Sequence, residues 1–534
     1  MKRKTVWIIL SLMIAAAFLL RLVCLLCYGM QYDDVISLGF PGMFYSLGNY
    51  SPQPTFLYAF FMNLLERAAP SGEFILRLPA VFWGTLALLP VYLFTSRLFG
   101  KQAGLIAAYL GTISPFLIGY SQEIRMYTLL FFLGAVSYFC FLIAVETGSR
   151  RAWGVNILTN SLAAYLNFAA VLTIPAQLLF LSVFYAKRCR GERAAAVRAQ
   201  SVQLLLFLPW FMIFLRQWGF MLRRTQADKR IYTYLEKVTP QDIFFTFKNL
   251  IAGFYSCGWG RDILIILFGG LCVLGILRLL FPGGKIAPKE IQNALSAKEK
   301  VFLLISSFLL PMIILIVFSQ FRMIYCDKYV IVCLLFLLAF AGYALSRLKP
   351  VFLLAALALI TIFTGIVLKD YYRNRIYPDY RQRPGIVNRK EFRKAAAYCL
   401  SAFRPGDVIL HTSGTSTLPL AYYLDRNGKR GFLNGRGMFV FAEEIYRTLG
   451  KESRLIFQDI ESGAFRFNDD GIPGEEFAGS LSVYRRVWLV FSYWECQEPF
   501  QPVKEWFDRR FLLIESRAFS GVILFLYQTD IGKE

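Results

Sequence analysis

The chain has 534 residues, 57% of them hydrophobic, 17% aromatic and only 17% charged. Long apolar runs recur through the first 370 residues, which excludes a soluble globular protein and indicates a polytopic membrane protein. The net charge of +23 would suggest nucleic acid in a soluble chain, but much of the basic excess lies in short loops and reads as membrane topology, so no nucleic-acid partner is expected.

The apolar runs fall at about 5–28, 74–96, 103–119, 126–145, 153–168, 170–186, 200–217, 261–281, 301–319, 329–346 and 351–368. At roughly 20 residues per crossing, that predicts about eleven transmembrane helices. The region 153–186 is too long for one span and is divided near Phe168. The first run follows Met1-Lys2-Arg3-Lys4 and lacks a small-x-small cleavage site before Gln31, so it reads as an uncleaved helix. Cys24 and Cys27 share a face of that run and read as packing groups, and one histidine, His411, leaves no Cys/His metal framework visible. With the N-terminus in the cytoplasm, the inner segments carry Arg97 and Lys101, Arg150 and Arg151, Lys187 to Arg198, Lys285 to Lys300, then Arg347 and Lys349. Every inner segment is basic, as the positive-inside rule expects, and an odd number of spans places the C-terminal region outside.

The outer segments are then 29–73, 120–125, 218–260, 320–328 and everything after 369. In the first, the run from Phe56 to Met62 with Glu66 and Arg67 suits a helix lying on the membrane. From about 370 the composition turns polar. A helix over 391–402, a short strand at 408–410, a helix near 417–424, strands near 487–491, 511–514 and 522–527, and a helix near 503–509 predict an α/β domain. The organisation read from the sequence is therefore a membrane catalytic module over 1–369, with juxtamembrane helices in 29–73, and an extracytoplasmic α/β domain over 370–534.

Charges at the outer rim are the candidate functional groups, because a charge near hydrocarbon costs about 2.5–3.5 kcal/mol unless paired or facing water. Asp33 and Asp34 follow the first helix; Glu123 and Arg125 lie in Tyr120-Ser121-Gln122-Glu123-Ile124-Arg125-Met126-Tyr127; Arg322 and Lys328 lie in a later outer loop. Taken alone, Arg125 and Tyr127 are as much interfacial anchors as site residues, and Arg77 is an anchor or a cavity residue. Asn167 reads first as an interhelical hydrogen-bond partner, and His411 as a loop residue after a strand. Acids and bases from separate loops of one face suit glycosyl transfer. A carboxylate takes the proton of an acceptor hydroxyl and cations stabilise a departing phosphate.

These motifs, in this order, resemble the GT-C glycosyltransferases. Asp33-Asp34 is similar to the acidic pair of their first outer loop. The segment from Ser51 to Tyr58, Arg77-Leu78-Pro79, Arg97-Leu98-Phe99-Gly100, Ser114-Pro115, the stretch from Tyr120 to Tyr127, Leu208-Pro209-Trp210, Asp327-Lys328-Tyr329 and the run from Glu391 to Asp407 follow in the family's order. The match is to the branch of protein O-mannosyltransferases and lipid A aminoarabinose transferases, a glycosyltransferase family 39-like group, and to its bacterial members. The resemblance implies a GT-C fold and an enzyme that moves a sugar from a polyprenyl phosphate of the undecaprenyl type to a hydroxyl on a cell-envelope glycan, lipid or protein. It also implies transfer at the outer face of the plasma membrane, with inversion. By position, Asp33 is the base, Asp34 stands where the family has Glu, and Glu123 is the second acidic residue. Arg125, Arg322 and Lys328 meet the lipid phosphate, and Arg77, Tyr127, Tyr329 and Asn167 shape the site. Ser51, Pro52 and Gln53, and also Asn167, stand where many relatives carry histidine. No cofactor is certain from the sequence, and Asp34 with Glu123 could hold a divalent cation. The competing readings are a transporter or flippase of lipid-linked sugars, which would favour paired repeats and broken mid-membrane helices, and a catalytically inactive relative.

Overall fold

The structure is a computed structural model. It describes residues 2–38, 56–68, 72–184, 190–227, 238–254, 258–281, 295–321, 325–375, 389–404, 407–411, 416, 419–420, 422–424, 481, 484–492 and 501–529. The chain divides into two compact units. The first comprises Met1–Leu25, Pro52–Tyr58 and Arg77–Ile386; the second comprises Leu26–Ser51, Ala59–Leu76 and Val387–Glu534.

The first unit is helical, and the chain is a multi-pass membrane protein. Among the described residues, seven helices are long and apolar enough to cross a bilayer, or eight if the bent pair Lys101–Ile113 and Pro115–Ser121 forms one span. Of the other predicted spans, Phe168–Phe184 and Ala194–Pro209 are shorter apolar helices, and Arg150–Leu166 is a 17-residue helix whose apolar run is broken by Asn156, Thr159 and Asn160. The division expected near Phe168 falls at Asn167, whose φ of −158° breaks the helix. The first helix ends at Leu22, so Cys24 and Cys27 are not packing groups on it; both are disulfide-bonded.

The 55° bend in the pair has a chemical cause. Pro115 has no N–H, so the Gly111 carbonyl loses its helical donor. Arg21, fully buried in the last turn of the first helix, takes over. Its Nη2 donates to the Gly111 carbonyl at 3.2 Å and its Nη1 to the Thr112 carbonyl at 3.3 Å. Its Nε donates to Ser121 Oγ at 3.1 Å, so one guanidinium ties both halves of the bend to the first helix. A reciprocal contact comes from Gln122, whose Nε2 donates to the carbonyls of Arg21 and Val23 at 3.1 and 2.7 Å. These acceptors lie at the end of the first helix, where carbonyls have no intrahelical partners.

A second polar device lies among the helices Tyr127–Thr147, Arg150–Leu166 and Thr173–Phe184. Gln177 Oε1 accepts from Asn156 Nδ2 and Asn160 Nδ2, both at 3.2 Å. Gln177 Nε2 donates to Ser137 Oγ at 3.1 Å, and Ser137 Oγ donates to Asn160 Oδ1 at 2.6 Å. The interhelical role expected of Asn167 is thus carried by these four residues. Asn167 instead caps the next turn, its Oδ1 accepting from the Ala169 N–H at 2.9 Å.

The second unit contains a four-stranded sheet in the order β1-β2-β4-β3, with β1 Asp407–His411, β2 Arg486–Ser492, β3 Leu512–Phe519 and β4 Val522–Gln528. β1 and β2 are parallel and the other pairs antiparallel. Helices Phe392–Ala402 and Gln501–Arg510 complete an α/β domain like the one predicted. β3 and β4 join through Ser520 and Gly521, and Gly521 has φ +71°, a conformation that suits a two-residue hairpin turn and favours glycine. The core gathers Val487, Leu489, Phe491, Trp506, Phe507 and Tyr527. At its edge Asp407 is a buried hub. Its carboxylate accepts from Arg486 Nε and Nη2 at 2.8 and 2.6 Å, and from Trp488 Nε1 at 3.0 Å.

Candidate active site

The stretch from Tyr120 to Tyr127 is the turn between the helices Pro115–Ser121 and Tyr127–Thr147. Its fixed ends aim the side chains between them. Arg125 is buried and its Nη2 donates to the Tyr127 hydroxyl at 3.3 Å. The guanidinium carbon stands 5.6 Å from the Tyr127 ring centre. The Lys328 ammonium stands 5.5 Å from the same centre. Two cations, both 9% exposed or less, therefore converge on one aromatic ring. Each gains from the ring quadrupole, and together they make this a buried, positively charged place. Tyr120 packs edge-on to Tyr127 at 5.3 Å. Tyr329 packs on Phe168 at 5.1 Å, and its phenol lies within electrostatic reach of Tyr127, Lys328 and Arg125. Asn167 contributes through the turn it caps, which carries Phe168.

Lys328 is held by its neighbour in sequence. Asp327 is buried, and its carboxylate accepts from Thr246 Oγ1 and Asn249 Nδ2, one turn apart on the helix Gln241–Ala252. The Tyr325 hydroxyl meets Thr246 Oγ1 at 2.7 Å, and Arg261 Nη2 donates to Asn249 Oδ1 at 3.3 Å. Because a carboxylate only accepts, Thr246 donates to it and Tyr325 donates to Thr246. The turn Asp327–Cys333 is thereby pinned on its acidic side, leaving Lys328 to be directed by the next position. Sequence reading singled out Lys328 and missed this support. An aspartate beside an apolar run was the available signal, but Thr246, Asn249 and Arg261 carry no motif.

Glu123 is half-buried on the wall of a small, partly open cleft. Phe116, Tyr120, Phe254 and Tyr371 line the rest, so the cleft is aromatic with one carboxylate. The Tyr371 hydroxyl donates to Gln122 Oε1 at 2.7 Å, which fixes the far wall. Arg77 is buried and donates to the Leu25 carbonyl, closing the chain after the first helix. Arg322 lies outside the described residues.

Asp33 and Asp34 belong to the second unit, in the first turn of the helix Tyr32–Ser37. The two acids are not equivalent. Asp34 is buried, and its carboxylate accepts the Gln31 backbone N–H at 3.0 Å, capping the helix it sits on. Asp33 is half-exposed, and its backbone carbonyl accepts from Ser37 Oγ at 2.9 Å. Among the described residues no group of three His, Cys, Asp or Glu side chains could hold a metal ion.

Residues 51–213 match the sequence model of the dolichyl-phosphate-mannose-protein mannosyltransferase family. A comparison with curated protein sequences yields no match. Among solved structures, the chain is similar to ArnT from Cupriavidus metallidurans in the apo state, with a TM-score of 0.58 at 11% identity over 98% of each chain. It is similar to the same protein bound to undecaprenyl phosphate, with a TM-score of 0.55 at 12% identity over 97% of this chain and 98% of that one. It also resembles the Archaeoglobus fulgidus oligosaccharyltransferase tethered with an acceptor peptide, at 0.52 and 13% identity, covering 99% of this chain and 74% of that one. All of this chain aligns with 42% of the arabinofuranosyltransferase AftD from Mycobacteria, at 0.51 and 13% identity. A helical membrane unit, a small C-terminal sheet and this set of likenesses identify the chain as one with the GT-C fold.

Proposed function

We propose that the protein is an integral-membrane glycosyltransferase. It moves a sugar from an undecaprenyl-phosphate-type donor to a hydroxyl of a cell-envelope glycan, lipid or protein. The observation that carries this reading is the convergence of Arg125 and Lys328 on the Tyr127 ring, a buried cationic wall suited to a lipid phosphate. The likeness to a structure bound to undecaprenyl phosphate supports the donor class. The disulfide-bonded Cys24 and Cys27 support an oxidising, extracytoplasmic face, with the N-terminus in the cytoplasm of a plasma membrane. The division of labour follows the sequence: catalysis in the membrane module 1–369, with 370–534 as the extracytoplasmic domain.

In the reaction, the half-exposed Asp33 carboxylate takes the proton of the acceptor hydroxyl. That oxygen attacks C1 of the sugar from the face opposite the phosphate, and the configuration at C1 inverts. The bond from C1 to the phosphate oxygen breaks, and its electron pair leaves with the polyprenyl phosphate. Arg125 and Lys328, with Arg322, balance the charge that develops there. Glu123 shapes the aromatic cleft, and Asp34 keeps its structural role as the cap that orients Asp33.

The test is transfer of labelled sugar from a panel of synthetic undecaprenyl-phosphate sugars to membrane lipid, glycan and protein fractions. Transfer that disappears in Asp33→Asn while the protein still binds undecaprenyl phosphate supports the reading. Normal transfer by that variant removes Asp33 as the base. Lipid movement across vesicles without transfer from any donor would replace the enzyme with a transporter.

A further inference from the structure

The helix that carries Asp33 is too short to hold itself in water, since helices below about 12 residues are marginal alone. Its six residues are fixed from elsewhere in the second unit. Gln31, the residue before the helix, uses its side-chain amide as a backbone would. Its Nε2 donates to the Lys390 carbonyl at 3.0 Å, and its Oε1 accepts the Lys390 N–H at 3.0 Å. The same Nε2 also donates to the Gly29 carbonyl at 2.9 Å. The next residue, Glu391, is itself bound to the hairpin turn. Its N–H donates to the Ser520 carbonyl at 2.9 Å, and its Oε2 accepts the Ser520 N–H at 3.2 Å. A continuous line of hydrogen bonds thus runs from the β3–β4 turn through 391 and 390 to Gln31.

A second tether meets the first. The Met30 N–H donates to the Tyr423 hydroxyl at 2.6 Å, and that hydroxyl donates to Glu73 Oε1 at 2.9 Å. Arg393 pairs with Glu73 at 2.6 Å and donates to the Leu26 carbonyl at 3.2 Å. Gly29 lies so close beneath Tyr423 that a Cβ would stand 2.9 Å from its hydroxyl. The approach of the two segments is therefore at backbone distance.

We propose that Gln31 and Tyr423 are positioning residues, through which the C-terminal domain sets the register and orientation of the Asp33 helix. This rests on the reading of Asp33 as the base. The C-terminal domain then acts within the catalytic apparatus, in addition to whatever acceptor it meets. A base displaced by about 1 Å loses on the order of a hundredfold in rate. Gln31→Ala and the milder Tyr423→Phe should therefore lower turnover about ten- to a hundredfold, with the donor KM unchanged.

The experiment uses the full chain in nanodiscs. Hydrogen exchange at the amides of 33–38 should quicken about tenfold or more in both variants, while β3 and β4 keep their protection and binding of undecaprenyl phosphate is unaltered. Unchanged exchange at 33–38 in both variants overturns the proposal, whatever the enzyme does. If Gln31→Ala unfolds the sheet, Tyr423→Phe decides by the same criterion. In an Asp33→Asn background, neither change should lower the residual rate further; an additional loss of similar size means a merely structural role. Normal transfer by Asp33→Asn would remove the base assignment, yet the exchange result would still report on the tether.

Discussion

Buried charge is met in two different ways in this molecule. In the second unit, acids meet donors of matched geometry: Asp407 meets Arg486 and Trp488, Glu73 meets Arg393 and Tyr423, and Asp34 meets the Gln31 N–H, as Glu146 meets Arg97 in the first. In the membrane unit, Arg125 and Lys328 bring charge of one sign to a single ring. Matched pairs build structure. A buried group of cations suits a ligand of opposite sign. The matched pairs belong to the architecture, and in the function proposed above the cationic wall is where the donor phosphate binds.

The change that tests this division most severely is made at the acid outside it. Asp33 is half-exposed while its neighbour Asp34 is buried as a cap. Asp33→Asn should lower transfer about a hundred- to ten-thousandfold, the usual contribution of a general base, with little effect on melting. Asp34→Ala should do the reverse at first, costing about 1 kcal/mol of local stability through the lost cap. Activity assays beside thermal melts separate the two, and equal effects on both would erase the distinction. Asp407→Ala should destabilise the second unit by about 3–5 kcal/mol, because it leaves the Arg486 charge and the Trp488 N–H without this acceptor. Equilibrium unfolding of the full chain measures it. A loss below about 1 kcal/mol would mean that this pair is not architectural.

The units also differ in how far the sequence disclosed them. Apolar runs and basic loops announce a multi-pass protein, and three of the four strands of the second unit are short apolar runs. The cationic wall was half legible. Arg125 and Lys328 stand out as charges at the rim, but their meeting on Tyr127 depends on helix packing across some two hundred positions. Arg21 was invisible as a device, because it is one basic residue inside an apolar run. Its purpose appears only when the N–H missing at Pro115 leaves Gly111 without a donor. Asp327 was quoted in a motif, while its partners Thr246 and Asn249 lie about eighty residues away. The Gln31 amide belongs to the same class. Long-range polar pairs have no period and no spacing, so they escape any local pattern.

A smaller effect sharpens the binding side of the comparison. Lys328→Met keeps a long stem and removes the charge; Arg125→Lys keeps the charge and removes the fork. The first should weaken undecaprenyl phosphate binding about 10- to 100-fold, equivalent to one charge-assisted hydrogen bond of about 1.5–3 kcal/mol. The second should cost less. Because both cations address one anion, the double variant should lose less than the product of the single losses. Strict multiplicativity in a lipid-binding titration would place the two at separate sites.

The smallest effect concerns the matched side and comes from pH. His411 ends β1, and its Nδ1 lies 3.0 Å from Ser416 Oγ. Burial lowers its pKa from the ordinary 6.5 to about 3. In the window between those values the unfolded chain holds a proton that the folded chain refuses. The neutral histidine's contribution is therefore complete above pH 6.5 and is lost as pH falls toward 3. Carboxylates titrate over the lower part of the same range, so the comparison with His411→Gln is what isolates it. That variant removes the titration and retains a group able to hydrogen-bond Ser416. Hydrogen exchange at β1 between pH 6.5 and 5 should quicken in the wild type relative to the variant, after correction for intrinsic rates. Parallel profiles would show that the ring is protonated in the folded second unit, and would take His411 out of the set of groups whose burial builds it.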